Sequence, residues 1–476
     1  MDITLIYPKF PLGKDKWVVA GGSNRMYPPL DMGWIAKLLK EDNIHFRIID
    51  ANANRYTKKD LYKKLSGDIF VLTSDPYEGY RCMNLGDKYV NVHKEYIKLI
   101  KSIDKNNICI LIGPHGTALP DYIFMENPGL DFIVRGEPEL TCYKLLKCLV
   151  EGLDFRQIGG ISYRENGRIK HNKPADYIND LDWLSHPAFE YLEMEKYLKY
   201  HEKKDKVRKM IVLSSRGCPF QCIYCFKSIY GNSFRARSVN NVMKEIKILY
   251  EEHGVEHVSF IDDIFTLDKK RVELLCKKWK YPVSWDCETR VDTISKSLIN
   301  SMAKAGCTEI LFGVETFIPR IQRNICKIVD INKVKDLVEY AQSKGIYVTV
   351  ALQFGLPGDS WETINKNLEI IKKLDIPVGL PLITRVYPQT RLYELAVKRG
   401  LISDGSFKEC IELSGMIDTD FENREEYYDA LHYYHKKIKQ MNLRKKFDIQ
   451  YITKKIRRYG LVETVKRGIK RLVEVV

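Results

Sequence analysis

The sequence predicts an α/β protein in which an N-terminal doubly wound parallel sheet is followed by a partial (β/α)6 barrel and a helical, basic C-terminal region. Three observations support this prediction. Short apolar runs alternate with helical patterns over residues 1–150, six further strand-like runs recur at a longer period from residue 209, and the last 41 residues are strongly basic. We expect four segments: the doubly wound domain (1–150), a linker (151–208), the partial barrel (209–395) and the helical, basic C-terminal region (396–476).

Size and composition predict an intracellular enzyme. The chain has 476 residues, of which 45% are hydrophobic, so it can bury a sizeable core and divide into about three units. The 12 cysteines show no dense disulfide-like framework, which favours reduced thiols. The N-terminus shows no signal-peptide pattern, and 18 apolar residues never run together. We therefore expect a cytoplasmic protein without a spanning helix.

The first 150 residues are predicted to form five parallel strands, near Ile3–Tyr7, His45–Asp50, Asp68–Thr73, Ile108–Ile112 and Asp131–Val134. Helices are predicted near Pro29–Lys40, Lys58–Leu65, Val90–Ile103 and Glu137–Val150. In doubly wound sheets, ligands bind beyond the carboxyl ends of the strands. The candidate binding loops are Pro8–Trp17, Ser74–Tyr80, Gly113–Thr117 and Arg135–Glu137.

The linker is predicted to begin with a hairpin whose turn is Glu165-Asn166-Gly167, and a polar stretch follows it. After the linker, the barrel strands are expected near Met210–Leu213, His257–Ile261, Val283–Cys287, Glu309–Val314, Tyr347–Gln353 and Val378–Thr384. Chemistry in such barrels gathers at the carboxyl ends of the strands. The polar side chains at these ends are Asp262, Asp263, Glu288, Arg290, Glu315, Gln353, Arg385 and Tyr387.

Three cysteines follow the first of these strands with the spacing C-x3-C-x2-C, at Cys218, Cys222 and Cys225. Three thiolates can hold three irons of a 4Fe-4S cluster and leave the fourth iron without a protein ligand. A zinc knuckle is the alternative, but zinc needs a fourth Cys or His at short spacing. The next candidates, His253 and His257, lie in a predicted helix-to-strand segment.

Residues 215–225, Ser-Arg-Gly-Cys-Pro-Phe-Gln-Cys-Ile-Tyr-Cys, resemble the signature of radical S-adenosylmethionine (SAM) enzymes. The resemblance implies that the three cysteines are the cluster ligands and that Tyr224 and Phe226 adjoin the cofactor. In that family the open iron chelates the amino and carboxylate groups of SAM, and reductive cleavage releases a 5'-deoxyadenosyl radical. The electron comes from an external donor of the flavodoxin or ferredoxin type.

The strand-end segments 260–265, 312–316 and 354–358 also resemble this family, so the resemblance covers about residues 1–395. SAM needs carboxylate acceptors, a cation and backbone donors around it. Asp262 is a candidate acceptor for the ammonium, Arg290 a candidate fork for the carboxylate, and Glu315 a candidate ribose ligand. A salt bridge at the barrel rim is the alternative for each. The same cofactor site is predicted to include Asp263, Glu288, Gln353 and Tyr387.

The loops of the first domain resemble those of the cobalamin-binding domain that precedes many radical SAM barrels. The residues that carry this interpretation are Ser74, Asp75, Gly113, Pro114, His115, Gly116, Thr117, Arg135 and Glu137. Gly113 and Gly116 would let the backbone approach a flat macrocycle closely. An ordinary strand-to-helix turn with Thr117 as N-cap would look the same.

None of the 10 histidines has Asp two positions earlier, so the Asp-x-His-x-x-Gly motif of many cobalamin proteins is absent. The absence fits base-off binding without a histidine lower ligand, and equally a domain that has lost cobalamin. A further departure lies at Tyr387-Pro388-Gln389-Thr390, where relatives usually have Pro-Gly-Thr. We expect Gln389 to have ordinary backbone angles and to offer its amide toward the barrel mouth.

The residues from Lys436 to Val476 include 14 Lys or Arg and 3 Asp or Glu, which is +11 of the chain's formal +15. Apolar residues recur among them at helical spacing. Such a basic amphipathic segment can cap the barrel, lie on an anionic membrane as a peripheral contact, or attract an acidic substrate. No RNA-binding motif accompanies it, which disfavours nucleic acid.

The resemblance implies a cobalamin-dependent radical SAM enzyme that methylates an unactivated carbon of a small-molecule or lipid substrate. A rearrangement, oxidation or cyclisation, with or without cobalamin, is the first alternative. A nonenzymatic iron-sulfur or cobalamin carrier is the second.

Overall fold

The structure is a computed structural model that describes residues 1–10, 26–74, 92–403, 405 and 407–445. These residues form two compact units. The first unit contains the described parts of 1–197, 213–242 and 385–417, and the second contains those of 198–212, 243–384 and 418–476. The cysteine loop, residues 218–225, therefore belongs to the first unit.

The first unit contains one large sheet, built from β1 (Ile3–Tyr7), β2 (Phe46–Asp50), β3 (Ile69–Thr73), β4 (Ile108–Ile112), β5 (Phe132–Val134), β6 (Ile161–Glu165) and β7 (Arg168–His171). The strand order is β2-β1-β3-β4-β5-β6-β7. Strands β1 to β5 pair in parallel, and β6 and β7 continue the sheet in antiparallel fashion. The predicted doubly wound sheet is confirmed, with its strands within one residue of the expected bounds.

The helices up to residue 205 are α1 (Leu30–Glu41), α2 (Ala51–Asn54), α3 (Lys58–Lys64), α4 (Val92–Ile103), α5 (Pro114–Ala118), α6 (Pro120–Glu126), α7 (Pro138–Glu151) and α8 (Met194–Asp205). Local sequence explains several of their ends. Thr57 and Asp60 form a capping box at the start of α3. Gly152, with φ +68°, ends α7 in the left-handed conformation that glycine adopts without a steric penalty.

The predicted linker differs from the structure in one respect. Its hairpin forms where expected, but the turn has two residues, Asn166 and Gly167, both with positive φ, because Glu165 belongs to β6. However, β6 pairs with β5, so that Val134 lies opposite Ile161 and the hairpin extends the sheet from five strands to seven. The first half of β6 makes this pairing, and its residues Ile161, Ser162 and Tyr163 are buried.

The second unit contains a six-stranded sheet formed by β8 (Lys209–Val212), β11 (His257–Phe260), β12 (Ser284–Thr289), β13 (Cys307–Glu315), β14 (Tyr347–Phe354) and β15 (Leu382–Ile383). Between β8 and β11 in sequence lie two short strands of the first unit, β9 (Ser215–Arg216) and β10 (Arg235–Ala236), which pair as an antiparallel ribbon. The six strands follow one another in chain order, and every neighbouring pair is parallel. This is the predicted incomplete (β/α) barrel.

The remaining helices are α9 (Val239–Glu251), α10 (Lys269–Lys278), α11 (Lys296–Lys304), α12 (Pro319–Asn324), α13 (Ile331–Ser343), α14 (Trp361–Leu374), α15 (Arg391–Lys398), α16 (Phe407–Leu413) and α17 (Arg424–Lys445). Short 3-10 helices occur at Phe189–Tyr191 and Val291–Thr293. None of the described helices is long and apolar enough to cross a bilayer.

Some predicted features lie outside the described residues. They are Asp75, most of the Pro8–Trp17 and Ser74–Tyr80 loops, the first two residues of the helix expected near Val90, and the tail beyond residue 445. The fold class is confirmed, whereas the predicted domain boundaries stay predictions.

Candidate active site

The cysteine loop begins directly after the β9 strand. Gly217 has φ +80°, and a Cβ there would lie 2.3 Å from the carbonyl oxygen of Ser233, so only glycine fits. The Cys218 N–H donates to the carbonyl of Gly231 at 3.3 Å, and the Cys225 N–H donates to that of Cys222 at 3.3 Å. None of the three cysteines is in a disulfide. Cys222 is buried and Cys225 is exposed, so the loop has one wall in the protein and one open side.

Neighbouring side chains hold the loop in place. The Lys227 ammonium donates to the carbonyls of Cys218, at 3.1 Å, and Phe220. The Ile223 carbonyl accepts a hydrogen bond from the backbone of Leu392 at the start of α15.

Two predicted cofactor residues meet beside this loop. The rings of Phe226 and Tyr387 lie 6.4 Å apart between centroids. The structure therefore brings Tyr387 next to Phe226, the residue that follows Cys225, whereas the cofactor roles of both stay predictions. Tyr224, also predicted, is buried within the loop itself.

His257, a candidate fourth ligand in the zinc alternative, has both ring nitrogens in hydrogen bonds. Its Nε2 is 2.7 Å from Asp286 Oδ2 and its Nδ1 is 2.8 Å from the Ser284 hydroxyl, so both ring nitrogens are engaged. Among the residues that the structure describes, no three His, Cys, Asp or Glu side chains are grouped to hold a single metal ion. The three cysteines of the loop are among these residues, so their assignment as cluster ligands rests on their spacing.

A buried cluster of four charged side chains lies beside the loop in the first unit. Arg216, two residues before Cys218, donates to Glu139 Oε1 at 2.6 Å and to Glu137 Oε1 at 3.3 Å. Arg235 donates to Glu137 Oε1 at 2.8 Å. All four side chains are at most 7% exposed. We name these residues, Arg216, Arg235, Glu137 and Glu139, the buried charge cluster.

The charges in this cluster balance. Burial by itself would lower the pKa of the Arg216 guanidinium, but the Glu139 carboxylate, Tyr230 and the Glu137 carboxylate raise it above its ordinary value. The guanidinium also lies over the rings of Trp34 and Tyr230, at 5.2 and 4.9 Å from their centroids. Arg216 is therefore permanently charged and held on several sides.

The carboxyl edge of the seven-stranded sheet carries the predicted corrinoid loops. The Ser74 hydroxyl accepts from the backbone N–H of His115, and the Thr117 hydroxyl donates to the Gly113 carbonyl at 2.9 Å. Thr117 also accepts from the Gly136 N–H at 3.1 Å. Thr117 is thus not an N-cap, since it lies inside α5 and bonds the carbonyl four residues earlier.

The glycines of these loops serve different purposes. A Cβ at Gly116 would lie 2.6 Å from Ile133 Cγ2, so this glycine allows α5 to pack on β5. A Cβ at Gly136 would meet no atom within 4 Å, and its φ is +79°. The backbone at Gly136 is therefore open to close approach by a flat ligand.

One buried group at this edge is unsatisfied. His93, in the first turn of α4, is fully buried, and neither ring nitrogen has a hydrogen-bond partner among the described residues. Burial, and then the neighbouring His115, lower the pKa of His93 to about 3, so the ring is neutral. Leaving such a group unpaired costs about 1–3 kcal/mol. Together with the open backbone at Gly136, it makes this edge compatible with a large, partly polar ligand such as a corrinoid.

A cavity of about 210 Å³ lies at the same edge. Its lining includes Thr117, Arg135, Glu137, Asp176, Tyr177 and Gln389. The Arg135 guanidinium donates to the carbonyls of Ile161, at 3.2 Å, and Asn172, while its buried Nε has no hydrogen-bond partner in the described ranges. Burial lowers the pKa of Arg135 from its ordinary value.

Gln389 differs from the expectation. Its φ is +64°, which is left-handed and not an ordinary backbone conformation for a residue with a side chain. Its amide donates to the carbonyls of Thr117, at 3.0 Å, and Ala118, at 2.8 Å. The side chain therefore binds the Gly113–Thr117 loop, and the prediction of ordinary angles was wrong.

In the second unit, the predicted cofactor residues follow the strands as expected. Asp262 is buried directly after β11. Arg290 forms a two-pronged ion pair with Asp292, at 2.9 and 2.8 Å. Glu315 has φ +69° and accepts from the Lys327 ammonium at 2.7 Å. Asp263, after β11, and Glu288, on β12, lie at the same ends, and Gln353 Oε1, on β14, accepts from the Thr384 hydroxyl at 3.1 Å.

Comparison with known proteins places the chain in a family. Residues 212–371 match the family described as the Radical SAM superfamily. The uncharacterized methyltransferase PH0819 of Pyrococcus horikoshii is 33% identical over 382 residues, which are 79% of this chain and 80% of that protein. The chain belongs to the radical SAM superfamily.

Two solved radical SAM enzymes share the fold. The radical SAM methyltransferase TsrM of Kitasatospora setae, solved with tryptophan and a SAM analogue, has a TM-score of 0.69 at 17% identity, with 84% of this chain and 77% of TsrM covered. OxsB, a cobalamin-dependent enzyme solved with aqua-cobalamin and SAM, has a TM-score of 0.73 at 17% identity, with 99% of this chain and 70% of OxsB covered. The first domain thus has the fold of the cobalamin-binding type.

This radical SAM protein is a methyltransferase-like enzyme, and its superfamily implies a 4Fe-4S cluster and SAM. The nonenzymatic-carrier alternative is therefore wrong. Sequence reasoning missed several site features: Glu139, Arg216 and Arg235 as one cluster, the unsatisfied His93, and the Gln389 contact. The two acids in Glu137-Pro138-Glu139 were the local signal that could have indicated the buried charge cluster. Buried carboxylates need cationic or hydrogen-bonding partners, and these two follow a buried strand.

Proposed function

We propose that this chain is a cobalamin-dependent radical SAM methyltransferase that methylates an unactivated carbon of a small-molecule or lipid substrate. One observation carries the proposal: the cysteine loop and the candidate corrinoid loops belong to the same compact unit. The similarity to PH0819, named as a methyltransferase, and to OxsB, a cobalamin-dependent enzyme, supports it.

The thiolates of Cys218, Cys222 and Cys225 are the proposed cluster ligands, because these three cysteines share one loop. Gly217 begins that loop at a position where only glycine fits, and the Cys218 N–H bonds to the Gly231 carbonyl. When bound, the cluster with SAM supplies a 5'-deoxyadenosyl radical, and cobalamin supplies the methyl group. Phe226 and Tyr387 would cover the loop and reduce the access of water to it.

The proposed corrinoid ligands are the described loop residues at the carboxyl edge of the first sheet, Ser74, Gly113, Pro114, His115, Gly116, Thr117 and Arg135. The chain lacks the Asp-x-His-x-x-Gly motif, so we propose base-off binding without a histidine lower ligand. The open backbone at Gly136 supports close contact with the macrocycle.

The proposed SAM ligands are Asp262, Asp263, Glu288, Arg290, Glu315 and Gln353. Arg290 and Glu315 already have ionic partners, Asp292 and Lys327. These partners orient the two side chains, which reduces the conformational entropy that binding would cost. The remaining proposed partners are an external flavodoxin or ferredoxin and, through the basic tail, an anionic membrane surface next to the cytoplasm; nucleic acid is not proposed.

The experiment is anaerobic reconstitution with iron, sulfide and hydroxocobalamin, followed by absorption spectroscopy and assay of 5'-deoxyadenosine. Wild type should retain the corrinoid and form 5'-deoxyadenosine, and C222A should form none. Cys148→Ala, a half-buried cysteine on α7, is the matched control and should behave as wild type.

A product heavier by one methyl group separates methylation from rearrangement, oxidation and cyclisation. Failure of wild type to retain the corrinoid would remove the methyl-transfer model. Full 5'-deoxyadenosine formation by C222A would contradict the cluster assignment.

A further inference from the structure

The buried charge cluster joins two parts of the first unit that are far apart in sequence. Arg216 and Arg235 lie opposite each other in the β9–β10 ribbon. Glu137 and Glu139 lie at the start of α7, just beyond the carboxyl end of β5. The four charges sum to zero, so the cluster is fully compensated without water.

The ribbon side of the cluster leads directly into the cysteine loop. Arg216 is two residues before Cys218, so their Cα atoms are at most about 7 Å apart. Arg235 also donates to the Tyr230 carbonyl at 2.8 Å, and the Tyr230 carbonyl lies against Gly217. A displacement of either guanidinium would therefore move the backbone that carries the first cysteine.

The sheet side of the cluster leads directly into the candidate corrinoid edge. Glu137 directly follows Arg135 and Gly136, two residues that line the cavity. The backbone at Gly136 is also open to close approach. Both carboxylate oxygens of Glu137 are engaged: Oε1 by the two arginines, and Oε2 by the Ile178 N–H at 2.7 Å and by Arg235 at 3.0 Å. No oxygen of Glu137 is left to bind a cofactor directly.

We infer that the buried charge cluster is a positioning device, which fixes the cysteine loop against the carboxyl edge of the seven-stranded sheet and so couples radical formation to methyl transfer. This inference rests on the proposed function. It makes Glu137, Glu139, Arg216 and Arg235 positioning residues that act through the two loops they join.

The coupling requires fixed geometry, because the radical must reach the substrate carbon that will receive the methyl group. A misplacement of about 1 Å can cost about 10²-fold in rate. Loosening the cluster should leave SAM cleavage intact, because the cysteines remain, while methylation per cleavage falls. A positioning defect should give 5'-deoxyadenosine without a matching amount of methylated product. An unfolded protein would form neither 5'-deoxyadenosine nor methylated product.

The first measurement is the ratio of methylated product to 5'-deoxyadenosine in E139Q and in R216M. Each variant removes one side of the 2.6 Å ion pair and keeps similar side-chain volume. We expect the ratio to fall about 10²-fold in both. If the substrate is still unidentified, the number of methyl groups added per 5'-deoxyadenosine formed in a cell extract supplies the same ratio.

The second measurement is the midpoint potential of the cluster, read by EPR titration without corrinoid or substrate. Cluster potentials depend on nearby net charge. E139Q leaves one uncompensated positive charge and should raise the potential, whereas R216M leaves one negative charge and should lower it. The double variant R216M/E139M is neutral again, so its potential should return toward wild type while the product ratio stays low.

The matched control is Glu165→Gln, which breaks the exposed Arg156–Glu165 pair at the end of β6. It should change neither measurement. If E139Q does not fold, R216K, which keeps the charge but not the two-pronged contact, replaces it and should lower the ratio with little change in potential.

The outcomes separate the two proposals. A wild type that forms neither 5'-deoxyadenosine nor methylated product refutes the proposed function, and the inference falls with it. A wild type that couples normally, alongside folded variants with the wild-type ratio, overturns the inference alone. Shifts of the same sign in E139Q and R216M would also overturn it.

Discussion

The two sheets of this protein differ in how their strands are covered. In β3 and β5 of the first sheet every residue is buried, whereas β12 and β14 of the second alternate strictly between buried and half-exposed residues. Full burial is the pattern of a parallel sheet covered on both faces, and alternation is that of a sheet with one open face. Strands β3 and β5 therefore can act only through the loops at their ends, while β12 and β14 also offer a face, although β8 and β11 of the same sheet are fully buried.

The open face of the second sheet is polar. It carries Ser284, Asp286 and Glu288 on β12, and Thr349 and Gln353 on β14. A half-barrel that leaves such a face accessible can bind a polar ligand along it without disturbing the core.

The amino-terminal half of this face is closed by an ion pair network. Asp286 accepts from Lys209 at 3.0 Å, from His257 at 2.7 Å and from the Ser259 hydroxyl at 2.8 Å. Burial would raise the pKa of Asp286, but Lys209 and His257 hold it far below its usual value. The polar groups of this face that remain accessible are therefore concentrated toward the carboxyl ends of the strands, where the chemistry of such barrels gathers.

The sharpest test of this difference is one substitution made in both sheets. Leu72 on β3 is fully buried, whereas Leu311 on β13 is half-exposed on the open face. Leu72→Ala should lower the free energy of unfolding by about 2–5 kcal/mol, because it leaves a cavity in a covered core. Leu311→Ala should lower the free energy of unfolding by about 1 kcal/mol, because the Leu311 side chain buries less apolar surface on folding than Leu72 does. Denaturant titration with hydrogen exchange at each sheet measures both.

Equal losses at the two positions would show that the second sheet is covered on both faces, and the proposed binding face would then not exist. Thr349→Ala on β14 is a useful control, since it alters the same face at a small side chain. It should change stability by less than Leu311→Ala.

Most of the fold follows from local sequence. The strands of the first sheet are continuous apolar runs, and those of the second are spaced by amphipathic helices, so both could be placed to within a few residues. The cysteine spacing alone pointed to the cluster. Each of these signals lies within a window of fewer than about 20 residues, where periodicity and spacing are informative.

The remaining site features could not be read from the sequence because they depend on long-range contacts. Arg216 meets Glu139 across 77 positions of the chain, and Gln389 meets Thr117 across 272. The positive φ of Gln389 could not be predicted from the residue itself, since glutamine rarely adopts it. The hairpin was visible as a hairpin, but its pairing with β5 was not, because register is set by the partner strand.

A smaller effect, the pH dependence of stability through His93, tests whether the carboxyl edge of the first sheet is shielded from water as its buried strands are. The folded-state pKa of His93, about 3, lies below the ordinary value of 6.5, mainly because of burial. A base with a lowered pKa contributes stability that is present above pH 6.5 and is lost as the pH falls toward 3. Between pH 7 and pH 5 the cofactor-free protein should lose about 2 kcal/mol through this group.

His93→Asn should remove this acid sensitivity, as measured by urea unfolding at the two pH values. The control is His45→Asn, at an imidazole that is 80% exposed beside Asp2. If the His93 variant keeps the full pH dependence of wild type, the ring is accessible to water and the edge is open. Corrinoid binding should protect wild type from acid if the ligand satisfies the ring.

The smallest effect concerns Gln389, which joins that edge to the segment after β15. Gln389→Ala removes the hydrogen bonds to the Thr117 and Ala118 carbonyls and should cost about 1 kcal/mol. Gln389→Gly loses the same bonds but relieves the left-handed backbone, so it should be more stable than the Ala variant by about 1 kcal/mol. This order reverses the usual ranking of Ala above Gly, and thermal unfolding of the two variants measures it. An Ala variant at least as stable as the Gly variant would contradict this expectation. The backbone at residue 389 would then relax once the amide is gone, and the contact with the Gly113–Thr117 loop would be what holds it in the left-handed conformation.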